Sequence, residues 1–98
     1  MAAAAAGALD SGVFFASRLR LVREKPARAA GIVGGLGLWA ALTASAARDR
    51  RAARTRVLAA TNLAAQSAVL AVHLRHHVAG PRVWLGAGLA AAALAGAL

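Results

Sequence analysis

The stretch that decides the fold runs AAGIVGGLGLWAALTASAA (29–47), RDRRAARTR (48–56) and VLAATNLAAQSAVLAVHL (57–74). Two blocks without a charged side chain, if His73 is neutral, flank nine residues holding Arg48, Arg50, Arg51, Arg54 and Arg56 against a single acid, Asp49. Both blocks are rich in Ala and Leu, poor in β-branched residues and without apolar–polar alternation, so helix is the reading for each. A hydrocarbon core of ~30 Å takes about 20 helical residues, with about 17 as the practical minimum. Neither block has the polar face that a helix on a soluble surface presents to water. The pattern is that of a transmembrane hairpin with a basic connector.

The rest of the chain repeats the theme. Upstream, MAAAAAGALDSGVFFAS (1–17) carries one charge, Asp10, and is followed by Arg18, Arg20, Arg23, Lys25 and Arg28 against Glu24. Downstream, Arg75, His76, His77 and Arg82 bracket a turn at Gly80-Pro81, and the block from Val83 to Leu98 has no charged side chain. Pro26 and Pro81 suit helix entries. The expected fold is therefore all-α: a small helical integral membrane protein with spans at 29–47, 55–77 and 83–98. Residues 1–28 form a separate apolar and basic segment, serving as targeting sequence, interfacial segment or a further helix. If every block after residue 28 spans, one side receives seven Lys/Arg and the other five, a weak orienting difference.

Composition excludes much else. In 98 residues there are 31 Ala, 10 Gly, no Cys and no Tyr, with twelve Lys+Arg and three Asp+Glu. No barrel or doubly wound sheet fits that length, and thiolate metal sites, disulfides and cysteine nucleophiles are impossible. No phosphate-binding Gly loop, HExxH motif or paired acids appear, so the reading is of a protein that is not an enzyme. The arginines admit a soluble nucleic-acid binder as an alternative, but the interleaved aromatics of single-strand binders are missing. A charge run beside an apolar block is more simply a membrane-side anchor, the role expected of Arg48, Arg50, Arg51, Arg54 and Arg56.

Two sets of residues point to contacts. Gly31 and Gly35, Ala60, Ala64 and Ala68, and Gly88, Ala92 and Gly96 recur four apart, the spacing that lets helix backbones approach in lipid. On a helix of 100° per residue, Asn62, Gln66, His73 and His77 fall within an arc of about 60°. Polar side chains on an apolar helix should face protein rather than lipid. The leading reading uses Asn62 and Gln66 for helix packing and takes no cofactor. The alternative makes His73 and His77 an i, i+4 pair for haem or a quinone.

Taken together, REKPARAAG (23–31), the Gly-rich first span, the turn RDRRAARTR and Gln66 within the second span make residues 23–72 resemble the hypoxia-induced domain family of small mitochondrial inner-membrane proteins. The resemblance implies a two-helix hairpin with residues 48–56 in the matrix and association with cytochrome c oxidase and respiratory supercomplexes. Asn62 and Ala60 stand where that family carries basic or His residues, and 83–98 has no counterpart in it. The function expected is an accessory subunit or assembly factor of a larger membrane complex. Its setting is the lipid bilayer of a mitochondrial inner or bacterial plasma membrane, with a complex or self-association through the small-residue ridges as partner.

Overall fold

The computed structural model describes residues 2–98, whose regular structure is all helix: α1 (Ala2–Ala16), α2 (Leu21–Glu24), α3 (Pro26–Arg48), α4 (Ala53–Arg75) and α5 (Pro81–Ala97). The four long helices close a ring in which α1 packs on α3 and α5, and α4 packs on α3 and α5. Gly7 faces Trp39 and Gly12 faces Leu36, so α1 runs antiparallel to α3. Arg50, in the α3–α4 turn, donates to the Gly96 carbonyl at 3.0 Å and brings the end of α5 back to that turn. The result is an up-down-up-down four-helix bundle.

Helix ends are set locally. Pro26 and Pro81 occupy the first turns of α3 and α5, where the missing N–H costs nothing. Asp49 turns extended and stops α3, and its Oδ1 accepts from the Arg51 N–H at 3.1 Å. The turn is clipped from within: Thr55 Oγ1 donates to the Asp49 carbonyl at 2.8 Å, and the Ser45 hydroxyl meets Thr55 Oγ1 at 2.7 Å. At the other end of α4, the Val78 N–H bonds the His73 carbonyl at 2.9 Å and the His77 N–H bonds the Leu74 carbonyl at 3.1 Å. That pair of bonds is a Schellman stop, with His77 at φ 56° in the left-handed position normally given to Gly.

Helix α4 therefore ends at Arg75, two residues before the expected limit of 77, and His77 lies outside it. The first hairpin helix is longer than the expected 29–47 because Pro26 starts it. Residues 2–28 contribute α1 and α2, and α1 is a full member of the bundle.

The 23 residues of α3 and of α4 are long and apolar enough to cross a membrane, each reaching about 34 Å at 1.5 Å per residue. The expected third span is shorter: α5 has 17 residues, or about 25 Å.

The packed interior is small, and much apolar surface stays outside. The interior holds Ala4, Ala29, Ala59, Ala90, Ala97, Ser45, Thr55 and Asn62, with Trp39 and Leu42 as its large side chains. Outside lie Leu9, Val13, Val33, Val57, Val69, Val72, Trp84 and Leu85. Leu58, Leu63, Leu89 and Leu94 pack partly buried against this interior, while small residues lie both inside and outside.

Candidate functional site

The bundle is tight at the Arg50 end and open at the other. Between α1, α3, α4 and α5 lies a cavity of about 760 Å³, with Trp39 and Leu89 toward the packed core and Phe14, Arg28, His73, Val78 and Arg82 toward the opposite end. Four of its lining residues, Gly7, Gly31, Gly35 and Gly86, have no side chain to fill it. At Gly31 and Gly35 nothing stands within 4 Å of where a Cβ would be. The small-residue ridge expected to seat a neighbouring helix thus borders empty space in the bundle. The tight approaches occur elsewhere, where Trp39 covers Gly7 and where Gln66 Oε1 sits 2.8 Å from the Cβ position of Gly86. Gly88 and Gly96 also have open Cβ positions, on the outer face of α5.

The polar groups on the cavity come from all four long helices. Asp10 on α1 pairs with Arg82 on α5 at 3.4 Å, and the Arg82 guanidinium lies 4.9 Å from the centre of the Phe14 ring. Arg18 lies 5.2 Å from the same centre, so one aromatic ring serves two cations. Arg28 enters from the first turn of α3. His73 Nδ1 lies 2.7 Å from the Val69 carbonyl. A carbonyl only accepts, so that nitrogen carries hydrogen and Nε2 is the atom left for a ligand.

The polar arc expected on α4 is divided by this geometry. Gln66 and His73 border the cavity, Asn62 is fully buried in the packed half, and His77 lies outside the helix in the turn that ends it. The His73–His77 pair on one helical face is not formed, because the left-handed residue at 77 breaks the helical register. Asn62 is 0% exposed, packed among this chain's own helices. Neither of its amide atoms has a hydrogen-bond partner among the described residues. Among the described residues, no three His, Cys, Asp or Glu side chains converge as metal ligands would.

The basic clusters sit at the two ends of the bundle. Arg28, Arg54 and Arg82 occupy first helical turns that contain no acid, where positive charge opposes the helix dipole. Helix energetics do not call for them there. Arg50 is committed to the Gly96 carbonyl, a use the sequence did not disclose. Sequence reasoning also missed Asp10, Arg28 and Arg82 as cavity residues, since each reads singly as a flanking charge.

The chain matches no family model, and it matches none of the curated proteins or solved structures with which it was compared.

Proposed function

We propose that this chain is a non-enzymatic integral membrane protein that serves as an accessory subunit or assembly factor of a larger membrane complex. The observation that carries the reading is the exposed apolar surface, with Leu9, Val13, Val33, Val57, Val69, Val72, Trp84 and Leu85 outside on a bundle whose α3 and α4 are long and apolar enough to cross a membrane. Such a surface suits lipid tails or the apolar flanks of another membrane protein and is costly in water. The long dimension of 40 Å is close to a bilayer of about 40–45 Å with its headgroups. Arginines at both ends then lie at headgroup depth, and Trp84, exposed near the wider basic end, fits the aromatic belt. The resemblance of residues 23–72 makes the mitochondrial inner membrane and a respiratory complex the first setting to examine, with a bacterial plasma membrane second.

The contact surface proposed for the partner is Gly88, Ala92 and Gly96, which lie together on the outer face of α5. Carbonate extraction of native membranes, followed by native electrophoresis in mild detergent, tests the proposal. The expected result is retention in the pellet and migration with a larger complex, with loss of the complex in a Gly88→Leu, Gly96→Leu double variant. Release by carbonate sinks the membrane reading. Migration as a free chain from membranes solubilised gently enough to preserve other complexes sinks the accessory role.

A further inference from the structure

The cavity joins two regions of opposite character. Its inner part is walled by Gly35, Leu36 and Trp39. Beside its outer part lies a smaller recess of about 370 Å³ lined by Arg28, Val72, His73, His76 and Val78. Arg28, His73 and Val78 border both spaces. A mainly apolar cavity, with Gln66 on its wall, thus ends at a mouth that holds Arg28, the Asp10–Arg82 pair and two imidazoles.

The two arginines on the cavity are not equivalent. Arg82 is engaged by Asp10 and by the Phe14 ring. Among the described residues, Arg28 has no carboxylate partner. Its own helix dipole opposes it, since the first turn of α3 contains no acid. A cation without a carboxylate partner among the described residues, set at the rim of a mainly apolar cavity, is complementary to an anion that carries an apolar tail.

We propose that this cavity binds a single-chain amphiphile with an anionic head, a fatty-acid carboxylate or a monoacyl phosphate. The head oxygens take the Arg28 guanidinium, at the mouth that His73 and His76 border. The chain runs past Gly31 and Gly35 to the indole of Trp39. Arg28 and Trp39 are separated by eleven residues of one helix, or about 16 Å along its axis, a distance an acyl chain covers. The cavity volume of about 760 Å³ lies in the range of ~300–1,000 Å³ usual for small-molecule sites. A quinone ring asks for neutral donors at opposed carbonyls and leaves the charge of Arg28 unanswered. This inference goes beyond the accessory role and does not depend on which complex the chain joins.

Trp39 provides the readout. With Trp84→Phe it is the single tryptophan of the chain, and at 1% exposure it is shielded from lipid outside the bundle. The full-length variant, in nanodiscs of zwitterionic phosphatidylcholine, is titrated with dibromostearate, with a dibrominated lysophosphatidate and with a dibrominated alkanol. At least one acid is expected to quench Trp39 saturably, and the acid effective at the lower concentration identifies the head. Arg28→Gln should weaken that quenching about tenfold or more, as loss of a charge-assisted hydrogen bond does. Gly35→Leu, which fills the cavity, should abolish it.

Absence of saturable quenching by both acids overturns the proposal. So does quenching by the alkanol at the same concentration, or quenching that Arg28→Gln leaves unchanged. Displacement of the brominated acid by a short-chain quinone, equally well in Arg28→Gln, assigns the cavity to quinones and also overturns it. If Gly35→Leu loses its helical circular dichroism, Arg28→Gln decides alone, because Arg28 is exposed and outside the packed core.

Discussion

The indole of Trp39 lies over the backbone of Gly7, with ring carbons 2.5–2.6 Å from the point where a Cβ on Gly7 would stand. That approach docks α1 on α3 and leaves Trp39 only 1% exposed. Gly7→Ala should force the indole outward and destabilise the bundle. Overpacking of this kind costs ~1–3 kcal/mol, against a gain of up to about 1 kcal/mol from alanine's better helix propensity. A lower midpoint of thermal unfolding in detergent, with a red shift of Trp39 emission in a Trp84→Phe background, is the expected pair of results. If both stay unchanged, α1 does not dock in this register.

The buried clip at the α3–α4 turn gives a second prediction. Thr55 is 1% exposed and serves Asp49 and Ser45 together. Thr55→Val keeps the shape but leaves a carbonyl and a hydroxyl without their partner, a loss of ~1–3 kcal/mol. In the Ser45→Ala, Thr55→Val double variant the loss should be less than the sum of the two singles, because the pair shares one bond. Additive losses in a chemical-denaturation series would show that the two hydroxyls act separately.

Much of this architecture is legible from the chain alone, and the reasons are physical. Charge-free runs ended by arginines and prolines mark helices whatever surrounds them, so α3, α4 and α5 are visible within a few residues. The stop at Arg75 is hidden because His77 adopts φ 56°, a conformation for which sequence offers Gly or Asn as its signal. The cavity is hidden for another reason. Spacing places Gly31 and Gly35 on one face, but whether that face meets a helix or a void depends on how α1 and α5 pack. Asp10, Arg28 and Arg82 stand far apart in sequence, and only the ring of four helices brings them to one space.

Asn62 yields a prediction of opposite sign. Its side chain is 0% exposed, and neither amide atom has a hydrogen-bond partner among the described residues. An unpaired buried polar group costs ~1–3 kcal/mol, while truncation loses some packing and gains helix propensity. Asn62→Ala should therefore raise stability by about 1 kcal/mol, read as a higher unfolding midpoint in detergent. A drop of similar size would mean that the packing of the Asn62 side chain inside the bundle outweighs the cost of its unpaired amide.

His77 separates a structural histidine from a ligand. It holds the left-handed position of the Schellman stop, where a residue with a Cβ pays ~1–2 kcal/mol that Gly avoids. Gly also loses more chain entropy on folding, so His77→Gly should stabilise the protein by about 1 kcal/mol or somewhat less. His77→Ala keeps the strain and should leave the midpoint near its original value, whereas His77→Val, β-branched at positive φ, should lower it. The order Gly, then His and Ala, then Val is the signature of a backbone role, and thermal unfolding of the three variants beside the original chain measures it. If His77 instead served a ligand bound at the cavity, His77→Gly would weaken quenching of Trp39 by the brominated acids as Arg28→Gln does. Because His77 lines neither the cavity nor the recess beside it, the expected result is a more stable protein with its quenching curve unmoved.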